Sequence, residues 1–324
     1  MDIYVKKAII HQFSPDDTDL YLADKFLNIT PKIEEYLRKK IERVYSDEAR
    51  TGIFEEDNPF LEIISDDLLE TSVAVANRWK EEFVVSENQK TNDLVFIQFS
   101  KEGVDHFAFL RIALRETLTH LGGEVDNPIK LTQNNLPGFG TGADEALVIN
   151  LQSRKYHLIE KRIKYNGTFL NYFSENLLQA QPKISPKKSI KALEKTAQKI
   201  AESFNSDDFQ FQSKVKSAIF NHIEEENKLS PEKLADDLFD DNLTARLSFI
   251  DQVKEAVPEP VTFEEIDASR QLKKFENQKL SLSNGIELIV PNNVYEDAES
   301  VEFILNENGT YSILIKNIED IQSK

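Results

Sequence analysis

Apolar positions change their period several times along this 324-residue chain, and each change predicts an element. Ile3, Val5, Ala8 and Ile10 lie among polar neighbours, and a second apolar group at 20–27 follows Ser14-Pro15-Asp16-Asp17. Two antiparallel strands joined by a turn are predicted there. The period then becomes helical: Thr30 stands as an N-cap before Pro31, and Ile33, Tyr36, Leu37, Ile41 and Val44 recur at three and four up to about Tyr45. After Asp57-Asn58-Pro59 the same spacing returns through Leu61, Ile64, Leu68, Leu69, Val73, Ala76 and Trp79, the lone tryptophan reading as a core anchor. From Asp93 the runs 94–99, 107–114 and 117–121 predict an antiparallel meander.

Residues 146–151 and 156–163 read as further strands or a strand entering a helix, and 169–178 as a short helix. Gln181-Pro182-Lys183-Ile184-Ser185-Pro186 is the clearest linker. Beyond it four helices are predicted, at about 187–204, 208–226, 231–240 (Ser230 as cap, Pro231 first) and 243–256, ended by Val257-Pro258-Glu259-Pro260. Strands at 280–282, 286–290, 301–305 and 311–315 close the chain, with Asn306-Glu307-Asn308-Gly309 as a hairpin turn. The class is α+β: an N-terminal mixed antiparallel sheet with helices (1–180), a helical region with a basic first helix (181–262), and a small C-terminal antiparallel β unit packed with the helical region (263–324).

Composition narrows the function. A hydrophobic fraction of 40% supports packed cores, and zero cysteines exclude disulfides, thiol nucleophiles and thiolate metal sites. No run approaches the roughly 20 apolar residues of a membrane span, and the start lacks a signal peptide's pattern, so a cytoplasmic protein is expected. Net charge is −18, but unevenly placed: residues 1–150 hold 16 basic and 28 acidic residues, 151–216 hold 13 and 6, and 217–324 hold 10 and 23. A basic island between acidic flanks keeps nucleic acid open as a partner, because screening within about 10 Å makes binding respond to local charge.

Catalytic patterns are weak. Gly138, Gly140 and Gly142 lack both the Lys-Ser/Thr ending of a P-loop and a following helix, so a flexible hairpin loop is the expectation. His11, His106, His120, His157 and His222 are scattered; His222 with Glu225 and Glu226 reads as a solvated helix end, and no metal is assigned. The acidic pairs Asp66-Asp67, Asp207-Asp208, Asp236-Asp237 and Asp240-Asp241 follow from an acidic composition, and no Gly-x-Ser-x-Gly elbow occurs. A metal-dependent nuclease survives only if scattered carboxylates converge in space. A non-enzymatic protein without cofactor is the reading.

The island carries the best signal. Lys187, Lys191, Lys195 and Lys199 recur every four residues, nearly opposite Ile190, Leu193, Ala197, Ile200 and Phe204. That places a charged stripe of about 18 Å on one helix face. Lys188 adjoins it; Arg154, Lys155, Lys161, Arg162 and Lys164 precede it, interleaved with Tyr156, His157 and Tyr165, and Lys214 and Lys216 follow. These twelve residues are the candidate DNA-backbone contacts, against the plain alternative of a lysine-rich solvent face. A helix-turn-helix over 231–255 is rejected, since Arg246 and Lys254 are offset by Asp251 and Glu255.

The order of pieces resembles the 37 kDa nucleoid-associated protein family of bacteria. The matching stretches are Ala8-Ile9-Ile10-His11-Gln12-Phe13, Glu42-Arg43-Val44-Tyr45-Ser46 through Gly52-Ile53-Phe54, Val95-Phe96-Ile97-Gln98-Phe99, and Tyr156 through Lys161-Arg162 to Phe169-Leu170-Asn171-Tyr172-Phe173. The resemblance implies a cytoplasmic protein of the bacterial nucleoid that binds double-stranded DNA, partners a type II topoisomerase and has no enzymatic activity; self-association stays open. The rival expectation is an acidic protein-interaction adaptor for a chromosome-processing enzyme such as that topoisomerase.

Overall fold

The structure, a computed structural model, describes the chain except residues 17, 88, 121–128, 205–208, 264–265 and 323–324. The acidic pair Asp207-Asp208 and the end of the predicted strand at Leu121 lie outside the described residues. Two compact units divide the chain, Met1–Ser185 and Pro186–Lys324.

The first unit contains, in order, β1 (Ile3–Ser14), β2 (Asp19–Tyr21), α1 (Pro31–Glu42), β3 (Arg50–Ile53), α2 (Leu68–Phe83), β4 (Asn92–Lys101), β5 (Val104–Ala113), β6 (Arg115–His120), β7 (Ile129–Asn135), β8 (Glu145–Asn150), β9 (Lys155–Ile159), β10 (Ile163–Tyr165) and β11 (Thr168–Leu170). Seven of them form an antiparallel sheet ordered β2-β1-β4-β5-β8-β9-β3. Its central strands read as unbroken apolar runs because both faces are covered. Val95, Ile97 and Phe99 pack with Leu37 and Ile41 of α1 on one side. Leu94 and Phe96 pack with Val75, Trp79 and Phe83 of α2 on the other. Thr30 caps α1 through its hydroxyl, as its position before Pro31 predicts.

Several elements depart from the sequence pattern, each for a local reason. After β2 the second apolar group leaves the sheet, and the Leu27 amide donates to the Ala8 carbonyl instead. The helical spacing from Leu61 gives only a short 3-10 turn; α2 begins at Leu68, where the Asp67 carboxylate accepts the Leu69 amide at 2.8 Å. The third strand of the expected meander, β6, pairs with β7 in a separate ribbon. The predicted helix at 169–178 forms only in its second half: Asn166 and Gly167 take positive φ (48° and 78°), closing a two-residue hairpin that pairs Lys164 with Phe169 and holds Phe169 and Leu170 in β11. Only Phe173–Leu177 coils, as a π-helical turn.

The linker residues are laid along β3. Arg50 donates to the carbonyls of Pro182 and Lys183, and the Lys183 amide to Thr51.

The second unit contains α3 (Pro186–Ser203), α4 (Phe209–Glu226), β12 (Lys228–Leu229), α5 (Pro231–Leu238), α6 (Leu243–Lys254), β13 (Val261–Thr262), α7 (Ser269–Phe275), β14 (Asn277–Ser281), β15 (Glu287–Pro291), α8 (Asn292–Tyr295), β16 (Val301–Leu305) and β17 (Tyr311–Ile315). Ile190, Leu193 and Ala197 of α3 share a core with Phe211, Ile219, Leu234, Phe249 and Val253. The Ser230 side chain accepts no amide hydrogen bond at the start of α5; its hydroxyl donates to the Glu232 carboxylate at 2.7 Å. Two hairpins, β14–β15 and β16–β17, join the helices: Gln278 donates to Ser213 and Asn292, and Phe209 meets Phe303 and Tyr311. Among the described residues no helix is long and apolar enough to cross a membrane.

Candidate nucleic-acid interface

The twelve candidate cations divide between the two units, five in the first and seven in the second. Helix α3 keeps its expected polarity: Ile190, Leu193, Ala197 and Ile200 are buried, while Lys187, Lys188, Lys191, Lys195 and Lys199 are exposed. Phe204 departs from the apolar stripe; it lies just past the helix end at 38% exposure. Lys188, Lys191 and Lys195 have no acidic partner among the described residues, and Lys199 donates to the Gln252 amide oxygen at 3.0 Å. Lys214 differs, because Asp240 takes its charge at 3.0 Å and has its own carboxyl held below the usual range in return. Lys216 is half-buried.

In the first unit, partners already occupy most of the candidates. Arg154 pairs with Glu56, Lys161 with Asp144, and Lys164 with Glu87. Among the described residues Arg162 donates only to the Asn171 amide oxygen, at 3.3 Å, and Lys155 is exposed on β9. The interleaved aromatics fare differently from one another. Tyr156 and His157 are core residues; a Cβ at Gly52 would lie 2.3 Å from the Tyr156 hydroxyl, so β3 and β9 pack with no room for a larger side chain there. Tyr165 alone stays exposed, at the hairpin turn.

Beneath these surface cations lies a charged network absent from the candidate set. Arg111 on β5 faces Glu145 on β8 across the ladder, and both are buried. Glu145 accepts from Arg111 Nε, from the Tyr172 hydroxyl and from the Lys161 amide, while Arg111 Nη1 donates to Asn92 and Trp79 Nε1 to Tyr172. Burial, then the neighbouring Glu145, pushes the Tyr172 phenol well above its ordinary value. The visible signal was a lone arginine inside the apolar run 107–114 and a glutamate at the head of 146–151.

The glycine loop is not a phosphate cradle. Its carbonyls, not its amides, point inward: Pro137, Gly138 and Thr141 accept from the buried Lys40 ammonium, which also lies 4.4 Å from the Tyr36 ring centre. Burial, reinforced by Arg43 and Arg115, lowers the Lys40 pKa to about 8 from 10.5. Between those values the unfolded chain holds a proton that the folded chain has released, so stability should rise with pH there. A gain of about 1–2 kcal/mol between pH 7.5 and 9.5 is expected, and Lys40→Met should abolish it. Urea midpoints of both proteins at the two pH values check this; equal gains would assign the rise to another group.

The histidines serve packing and local bonds. His11 is buried, its Nδ1 accepting from the Ala23 amide and its Nε2 meeting the Ser72 hydroxyl, and burial lowers its pKa. His222 bonds Asp237 at 2.7 Å. Among the described residues no three His, Asp or Glu side chains gather to hold a metal ion.

Exposed lysines on a helix whose opposite face is buried suit a surface that recognises charge. No curated protein matches the sequence closely enough to stand as a relative. The family model described as nucleoid-associated protein YejK matches residues 9–321, nearly the full length, and the chain belongs to that family of nucleoid-associated proteins.

Proposed function

We propose that this nucleoid-associated protein binds double-stranded DNA without sequence preference, through phosphate contacts made chiefly by Lys187, Lys188, Lys191, Lys195 and Lys199, with the remaining cations of the island as weaker contributors. The observation that carries this reading is the α3 stripe, where three exposed lysines have no acidic partner among the described residues in a chain of net charge −18. Phosphate contacts fix position without reading bases, so sequence preference is small. Each contact releases condensed counterions. Four or so contacts give a slope of log affinity against log salt of roughly −3 to −4. Fluorescence anisotropy of a labelled 30-base-pair duplex across 50 to 300 mM salt measures that slope, and equal binding at both ends overturns the proposal.

A second reading draws on a groove of about 520 Å³ in the second unit, where the five carboxylates of Glu225, Glu226, Asp236, Asp237 and Glu296 outnumber the two ammonium groups of Lys214 and Lys233. Such a surface steers a basic protein partner, for example a type II topoisomerase subunit. A nuclease-resistant pulldown lost on Asp236→Asn/Asp237→Asn favours this adaptor role.

A further inference from the structure

We propose that the first unit holds a separate pocket for a nucleoside phosphomonoester, either a free nucleotide or the phosphorylated end of a DNA strand. The pocket lies beside the β10–β11 hairpin, encloses about 340 Å³, and is lined by Lys90, Arg111, Lys161, Arg162, Lys164 and Phe169 among others. That volume is at the lower end of small-molecule sites, about the size of a mononucleotide.

Charge specifies the ligand. Five cations line the pocket against one carboxylate, Asp144, which Lys161 and the Ala113 amide already engage. Adding Glu87, bonded to Lys164, and Glu145, bonded to Arg111, still leaves the surroundings with two positive charges in excess. A phosphomonoester carries about −1.5 to −2 near neutral pH, whereas an internal phosphodiester carries only one negative charge. The floor is prepared for an anion. Arg111 is 7% exposed and held rigidly through Nε to Glu145 and Nη1 to Asn92, while Nη2 makes no bond to a described residue. Lys90 and Arg162 likewise have no acidic partner among the described residues, and both are exposed at the mouth.

Shape supplies the second half of the ligand. The hairpin register pairs Lys164 with Phe169, so both project from the same face. Phe169 is 61% exposed at the pocket rim, an apolar ring with a free face beside a cluster of cations. Aromatic rings so placed stack nucleobases without choosing among them. A buried arginine at the floor, exposed cations at the mouth and an aromatic at the rim recognise a phosphate joined to a base.

Only the strand-end source rests on the DNA-binding reading; free nucleotide does not. Isothermal titration of the full chain with inorganic phosphate, dAMP, deoxyadenosine, and a 5′-phosphorylated or 5′-hydroxyl single-stranded 10-mer tests it. Wild type should bind dAMP or the phosphorylated 10-mer at least tenfold more tightly than the counterpart lacking that phosphate. Preference for dAMP assigns free nucleotide, and preference for the 10-mer assigns a strand end. Lys90→Glu/Arg162→Glu should weaken the preferred ligand at least tenfold while melting as wild type. Phe169→Ala should weaken it several-fold and leave inorganic phosphate unchanged. A Lys191→Glu/Lys195→Glu control should keep dAMP binding, which separates this pocket from α3. No binding of any phosphate-bearing probe, indifference to the phosphate, or unchanged affinity in Lys90→Glu/Arg162→Glu overturns the proposal.

Discussion

Glu145→Ala should destabilise the first unit by about 3–5 kcal/mol, the range for removing one partner of a buried ion pair. The carboxylate is fully buried and collects three donors: Arg111 Nε, the Tyr172 hydroxyl and the Lys161 amide. Its removal leaves the Arg111 guanidinium charged and buried, bonded to the Asn92 amide oxygen, 5.2 Å from the Phe83 ring face and without its directly bonded carboxylate, with Asp144 as a weaker electrostatic neighbour. Tyr172 loses its acceptor and keeps only the donation from Trp79. For a unit of this size the loss corresponds to a fall of roughly 6–20 °C in melting temperature. Much of that cost is an orphaned charge and not a lost attraction. Arg111→Met/Glu145→Leu should therefore recover a large part of it, since an apolar pair of similar volume removes both charges together. Thermal melts of Arg111→Met, Glu145→Leu and the double variant close the cycle that gives the coupling energy. A loss below 1 kcal/mol in Glu145→Ala would falsify the buried network as a structural anchor. Because Arg111 also floors the phosphate pocket, the double variant should fold and fail to bind the nucleotide probes.

What the sequence reveals here depends on whether the cause of an element is local. Thr30-Pro31 starts α1 by capping geometry alone, and the runs around Val95–Phe99 and Phe107–Leu110 announce strands buried on both faces. Elements made by partners are harder. Arg50–Ile53 has no strand pattern of its own and becomes β3 because β9 supplies its ladder. Phe169 and Leu170 fit a helical spacing with Phe173 and Leu177, yet Asn166-Gly167 folds them back onto Ile163 and Lys164. For the site, α3 was legible since its charged and apolar faces follow from one helix's period. The pocket was not, because Lys90, Arg111 and Arg162 come from the approach to β4, from β5 and from the start of the β10–β11 hairpin, and the β4–β5 ladder and that hairpin are pairings that a count of lysines does not register. The paired cations show the same limit from the other side. Arg154, Lys164 and Lys214 look available in sequence and are each met by a carboxylate distant along the chain.

Changing Lys187, Lys191, Lys195 and Lys199 together to Glu should weaken duplex binding by roughly a thousandfold or more at 0.1 M salt. Four lost contacts remove about 3.6 from the salt slope, which is between three and four powers of ten relative to 1 M. The reversed charges add repulsion. The helix itself should survive: all four side chains lie on the exposed face, and the buried Ile190, Leu193, Ala197 and Ile200 are untouched. Lys187→Glu suits the positive end of the helix dipole and Lys199→Glu opposes the negative end, effects of a few tenths of a kcal/mol that offset each other. Lys199 additionally gives up its bond to Gln252, an exposed contact of small weight. A companion variant with Gln at the same four positions separates loss of attraction from gain of repulsion. It should lose the slope and retain weak, salt-insensitive binding. The acidic flanks sharpen the contrast, because 28 acidic residues in 1–150 and 23 in 217–324 repel the same phosphates, and α3 must overcome them locally. If both variants bind the duplex like wild type while remaining folded, the DNA contacts lie elsewhere, and the cations of the first unit become the surface to reverse next.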